Sequence, residues 1–141
     1  MNTFKLRCLN TNRQLVHKMQ RYILGIAVYL ALALPAAAAE LFMVEEPGCV
    51  WCARWNSEIS AIYPKSPEGK AAPLHRIDIH DPLPEGLTLN GSLHFTPTFI
   101  LVEDGHELAR IEGYPGEDFF WGLLGRILEP LPEFEDAKGA S

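Results

Sequence analysis

Two cysteines, Cys49 and Cys52, stand three positions apart in "EEPGCVWCARW" (Glu45 to Trp55), with Trp51 between them and Trp55 just after. Such a pair can close a structural disulfide, supply two soft thiolate ligands to zinc or copper, or cycle as a working dithiol. Four histidines follow, His75, His80, His94 and His106, and none has a spacing to the cysteines that suits a metal centre. A non-enzymatic metal-binding module therefore stays an alternative with only two evident ligands. The remaining choice depends on the compartment the chain reaches and on the elements that hold the two sulfurs.

The compartment is written at the front. "RYILGIAVYLALALPAAAAE" runs from a basic residue through an uncharged apolar stretch, Tyr22 to Leu34, to a proline and then Ala37-Ala38-Ala39. That is the order of a secretory signal with a cleavage site before Glu40. The stretch has 13 residues, short of the roughly 20 of an uncleaved spanning helix. Met19 is a second candidate start, giving a signal of more ordinary length. Residues 1–39 are thus read as the signal, 40–130 as one domain and 131–141 as an acidic, flexible tail. Cleavage removes Cys8 and leaves Cys49 and Cys52 as the only cysteines, an even count in an exported protein. The expected product is soluble and, in a bacterium, periplasmic.

Charge excludes one class of partner. All 18 acidic residues lie after residue 39 together with seven basic ones, so the expected mature chain carries −11. A surface of that sign repels phosphate backbones, which argues against nucleic acid, and any steering favours a basic partner.

Next come the elements that position the cysteines. "LFMVEE", Leu41 to Glu46, is an apolar run of strand length stopped by Pro47-Gly48. From Cys49 the pattern is helical, with Cys52, Trp55, Ile59 and Ile62 on one face, until "YPKSPEGK" ends it. "PLHRIDIHD" alternates and reads as a second strand, and "PLPEGLTLNGSLHF" as a loop with at most one helical turn. Thr98 to Val102 and Glu107 to Ile111 flank Asp104-Gly105, the signal of a hairpin. "PGEDFFWGLLGRILEPL" places Phe120, Leu123, Leu124, Ile127 and Leu128 on one helical face. A helix between two strands implies a parallel pair and the hairpin adds antiparallel strands, so an α/β fold with a mixed four-stranded sheet and packed helices is expected.

On "CVWC" at a strand-to-helix junction, "FTPTFIL" opening the third strand and "DGHELARIEGYPG" leading through the hairpin to the last helix, the chain resembles the thioredoxin superfamily over nearly the whole expected mature length. Within it, "VEEPGCVWCARWNSEI" is similar to the SoxS-type periplasmic thioredoxins of bacterial sulfur-oxidation systems. One departure stands at Val50-Trp51, where most relatives begin the inner pair with proline.

The resemblance implies a thiol–disulfide oxidoreductase whose catalytic residues are Cys49 and Cys52, with no metal and no organic cofactor. Cys49, at a helix N-terminus, meets free N–H groups and the positive end of the dipole, which lowers a thiol pKa to roughly 3.5–7.5. It is the expected nucleophile, and Cys52, one turn deeper, resolves the mixed disulfide. The resemblance makes Pro97 cis and places Thr96 where its main chain can add a substrate strand. Trp51 reads either as exposed beside Cys49, a third substrate-binding residue that packs on a partner, or as a partly buried capping aromatic, and Trp55 as part of the core face of the first helix. Many relatives carry a buried aspartate six residues before the first cysteine; here that position is Met43. Glu45 and Glu46 lie nearer and read first as solvated strand-end carboxylates, the alternative being that either raises the Cys49 pKa by like-charge repulsion or relays a proton.

By resemblance the protein is a monomeric reductant that reactivates the Sox sulfur-carrier protein, supplied with electrons by a membrane thiol transporter of the CcdA type. The alternative within the same chemistry is an oxidase or isomerase of folding proteins, for which 102 residues leave no room for a dimerisation module or an inserted helical domain.

Overall fold

The structure, a computed structural model, describes residues 38–140. The signal segment, Cys8 and Met19 lie outside the described residues, save the last two alanines before Glu40. Four strands, β1 (Glu40–Glu45), β2 (Leu74–Asp78), β3 (Thr98–Glu103) and β4 (His106–Glu112), form one sheet in the order β2-β1-β3-β4. β1 pairs parallel with β2, Leu41 opposite Leu74, and antiparallel with β3, Met43 opposite Phe99. The sheet is therefore mixed, as the strand, helix, strand, hairpin order requires.

Among the described residues four helices accompany them: α1 (Val50–Glu58), α2 (Pro67–Ala71), α3 (Glu117–Leu128) and α4 (Pro132–Gly139). α1 is shorter than its apolar pattern suggests. It closes at Ile59, a 3₁₀ turn follows at Tyr63–Lys65, and Ile62 is exposed rather than buried. Ser66 then caps α2 by accepting from the N–H of Gly69 at 3.0 Å, with Pro67 at the first helical position. The segment after residue 130, expected as a flexible tail, is instead helix α4. Its start has Pro132 at the first position and Glu133 and Glu135 in the first turn, and Phe134 is buried in the main core.

Because strand side chains alternate, the sheet has two distinct faces. Leu41, Met43, Phe99, Leu101 and Ile111 face the helices, meeting Cys52, Trp55 and Ile59 of the α1 region and Phe120, Leu124 and Leu128 of α3. Phe42, Val44, Ile100 and Val102 face the other way and are covered by Leu87, Leu89 and Leu93 from the irregular segment between β2 and β3. That segment forms a strap, and it holds no helix.

The strap is pinned by β4. Asp104 (φ 51°) and Gly105 (φ 76°) make the hairpin turn, both left-handed as a two-residue hairpin requires. The register then shifts between Leu101 and Val102, so that Val102 faces Glu107 while Leu101 faces Ala109. Leu108 is the extra residue. This bulge puts Glu107 and Arg110, three apart, on one face of β4, where regular alternation would separate them. Glu107 is buried. It accepts from Arg110 Nε at 2.6 Å and Nη2 at 2.7 Å and from the N–H of Asn90 at 2.8 Å. Thr88 donates its N–H to Gly105 O and accepts from Glu107 N, extending β4 by one parallel bridge.

Candidate active site

β1 delivers the chain to the dithiol. After Glu45 the path turns through Pro47-Gly48, where Gly48 adopts φ +82°, a conformation a side chain would strain. Cys49 is the N-cap of α1, in extended conformation, and its Sγ accepts the N–H of Cys52 at 3.0 Å. The sulfur thus takes the place of a capping oxygen on one of the free N–H groups of the first turn. Cys49 is partly exposed and Cys52 is buried in the helix-backed core, 3% exposed. The two are joined as a disulfide with Cα atoms 5.2 Å apart, which makes this the oxidised state. On reduction, the N–H at Cys49 Sγ and the helix dipole both favour a thiolate there, while Cys52 has neither water nor cap.

The loop that enters β3 forms the second part of the site. The Thr96–Pro97 bond is cis. On its β3 side the loop is anchored twice: Thr98 Oγ1 donates to Phe95 O at 2.8 Å and Gly113 N donates to Pro97 O at 2.7 Å. On the other side Thr96 Oγ1 donates to Glu46 Oε1 at 2.5 Å. Thr96 and Cys49, 47 residues apart in sequence, are therefore linked through one residue, Glu46, whose carboxylate accepts from Thr96 and whose main-chain carbonyl accepts from the Cys49 N–H.

Around the dithiol, Val50, Trp51 and Phe95 are exposed, Trp51 at 53%. Arg54 lies over the Trp51 ring at 5.9 Å and donates to Glu58 at 2.9 Å, and Tyr114 OH donates to the other oxygen of Glu58 at 2.6 Å. The Tyr114 hydrogen bond, then that of Arg54, holds Glu58 below the ordinary carboxylate range. Burial, then the Glu58 bond, pushes Tyr114 up. Beneath the dithiol Trp55 is fully buried, with Arg76 over its ring at 5.5 Å. Arg76 also donates to Glu45 at 2.8 Å and to Asn56 at 2.6 Å, tying β1, β2 and α1 together behind the site.

The two glutamates read as solvated are both engaged: Glu45 by Arg76, Glu46 by Thr96. Met43 is buried, so the position of the relatives' aspartate holds no ionisable group. His94 is exposed, its ring edge-on to Phe95 at 6.4 Å. Arg76 and Tyr114 escaped the sequence reading, as did the partner of Glu46, because these contacts span 31, 56 and 50 residues. Among the described residues no group of three or more His, Cys, Asp or Glu is placed to hold a metal ion, and no helix is long and apolar enough to cross a membrane.

Comparison with solved structures finds the periplasmic thioredoxin SoxS from Paracoccus pantotrophus, in its reduced form, at 52% sequence identity and a TM-score of 0.64. The match covers 64% of this chain and 96% of that one. No protein-family model and no curated protein matches.

Proposed function

The chain belongs to the thioredoxin superfamily and is a thiol–disulfide oxidoreductase, and from that premise we propose that it is an exported reductant of protein disulfides. The observation that carries the direction of attack is the unequal setting of the two sulfurs, Cys49 capped and reachable, Cys52 buried one turn on.

In the reduced protein the Cys49 thiolate attacks one sulfur of a substrate disulfide. A mixed disulfide forms, and the substrate's other sulfur leaves as a thiolate that takes a proton. The Cys52 thiol loses its proton and attacks Cys49 Sγ. The bond closes to the disulfide of this structure and releases the second substrate thiol. Two electrons pass from protein to substrate. Cys49 and Cys52 are the catalytic pair, and Thr96, Pro97 and Trp51 form the docking edge: the Thr96 main chain pairs with an extended substrate strand and Trp51 packs on the partner.

Residues 1–39 serve as a secretory signal cleaved after Ala39, and the domain from Glu40 acts as a monomer in the periplasm. The substrate is the Sox sulfur-carrier protein, whose wrongly oxidised cysteine it reduces, and a CcdA-type membrane thiol transporter returns the electrons. This reading is supported by the similarity to a periplasmic thioredoxin SoxS and by the signal pattern of the first 39 residues.

Two measurements test it. A reduction potential near about −270 mV is expected, and one near about −120 mV would make the protein an oxidant instead. Cys52→Ser, expressed in the periplasm, should remain disulfide-linked to its substrate through Cys49; recovery of folding intermediates rather than one carrier protein would favour the isomerase reading.

A further inference from the structure

Two loops must meet a substrate disulfide together, the one carrying Cys49 and the one carrying Thr96. The Glu46 carboxylate lies between them. One oxygen accepts from Thr96 Oγ1 at 2.5 Å, the other is 3.6 Å from Nε2 of His80, and the Glu46 carbonyl accepts the N–H of Cys49 at 3.3 Å. Among the described residues this is the only hydrogen bond joining segment 46–49 to segment 94–97. The Thr96 loop is tied to its own strand pair by Thr98 and Gly113, so its β3 side is held without Glu46. What Glu46 alone sets is the spacing between the loop and the nucleophile.

An O–H···O bond of this length lies at the short end of the ordinary hydrogen-bond range. Glu46 is still 40% exposed, so its loss should barely change global stability. Geometry is more sensitive, because misplacing reacting groups by about 1 Å slows reactions by as much as about 100-fold.

We propose that Glu46 is a positioning residue that fixes the distance between Cys49 Sγ and the main chain of Thr96, and thereby governs how tightly a protein disulfide docks. It acts through the Thr96 hydroxyl and the Cys49 N–H and touches no reacting atom. The proposal rests on the reading of Thr96 as the docking strand.

The test is a double-mutant cycle with insulin as the protein disulfide and dithiothreitol as the electron source. Glu46→Ala and Thr96→Val are each expected to raise KM about fivefold and to leave kcat within about twofold. The double variant should be no worse than either single one, and Glu46→Gln, whose amide oxygen accepts the same hydrogen bond, should recover most of the loss. Effects that multiply to about 25-fold in the double variant, or a Gln variant as poor as Ala, overturn the proposal; the latter would assign the effect to charge. Amide hydrogen exchange in the substrate-free protein reads the clasp separately. Glu46→Ala should speed exchange in both 48–50 and 95–98 with an unchanged melting temperature, and unaltered exchange overturns the proposal whether or not insulin is a substrate. A wild-type protein that leaves insulin intact while the exchange result holds would count against the docking reading alone.

Discussion

The two faces of the sheet are closed by different means. On one, α1, α3 and α4 bring large side chains into contact, with Trp55, Phe99 and Phe120 within 4.8 to 5.8 Å centroid to centroid. On the other, a strap without a helix lays three leucines on four strand residues and is secured by a buried carboxylate and an arginine. The first closure is many contacts of one kind and fails only as a whole. The second is a small apolar patch with a polar lock, and it can open locally. Both cysteines belong with the first face, Cys52 inside it and Cys49 packed against it. The expectation is a catalytic side rigid to the unfolding limit and a strap side that fluctuates without disturbing it.

The largest effect should come from the helix-backed face. Phe120 is fully buried and meets Trp55, Phe99, Tyr114 and Trp121. Phe120→Ala is expected to lose about 3–5 kcal/mol, with activity and near-ultraviolet circular dichroism lost in one denaturant transition. Two separated transitions would mean that α3 is not part of the unit that holds the dithiol.

Next is the lock. Glu107→Ala leaves Arg110 with only the more distant Glu112 carboxylate, 3.6 Å away, and the Asn90 N–H without an acceptor. Arg110 keeps some access to water and still reaches the carbonyls of Gly91 and Ser92. A loss of about 2 kcal/mol is expected. Amide exchange at Thr88 and Asn90 should accelerate while that of α1 falls only by the global loss, and the reduction potential should equal that of wild type. A changed potential would break the separation between the faces.

The lock also gives the strap a pH dependence. The Arg110 hydrogen bond, opposed by burial and aided by the Asn90 N–H, holds Glu107 below the ordinary carboxylate pKa. A depressed folded-state value stabilises at pH above the unfolded value of about 4.3 and is lost as pH falls through the folded one. Wild type minus Glu107→Gln, measured by denaturation, should therefore be constant above about pH 5 and shrink below about pH 4. Glu58 is lowered in the same sense on the other side. The Gln variant retains it, so it drops out of the difference.

What was legible in the sequence divides along the same line. The dithiol, the Thr-Pro-Thr turn and the Asp-Gly hairpin are local signals, and the apolar periodicity of α3 reports its buried face directly. The close of α1 was harder, because Tyr63 to Ala71 packs as a 3₁₀ turn and a five-residue helix whose only local mark is Ser66-Pro67. α4 has a single buried aromatic, Phe134, among acids, so its helicity comes from docking on the core rather than from its own pattern. The lock was illegible for another reason: Glu107 and Arg110 share a face only because Leu108 is bulged, and a bulge leaves no mark in hydrophobic alternation. Glu46 and Thr96 meet across 50 residues, where spacing says nothing.

The smallest effect, and the sharpest for the comparison, should come from Leu89. It is only partly buried, yet it is one of three leucines that cover Phe42, Val44, Ile100 and Val102. Truncation to alanine removes part of an apolar contact that already borders water, so the strap can settle into the space and little cavity remains. Leu89→Ala is expected to lower stability by about 1 kcal/mol and to leave insulin reduction unchanged. Its coupling to Glu107→Ala decides how the strap is held. If the lock and the leucines act as one unit, Leu89→Ala made in the Glu107→Ala background should cost almost nothing further, because the strap has already lifted. If the two losses simply add, the leucines hold the sheet on their own, and the buried carboxylate is only the anchor of residues 88–92.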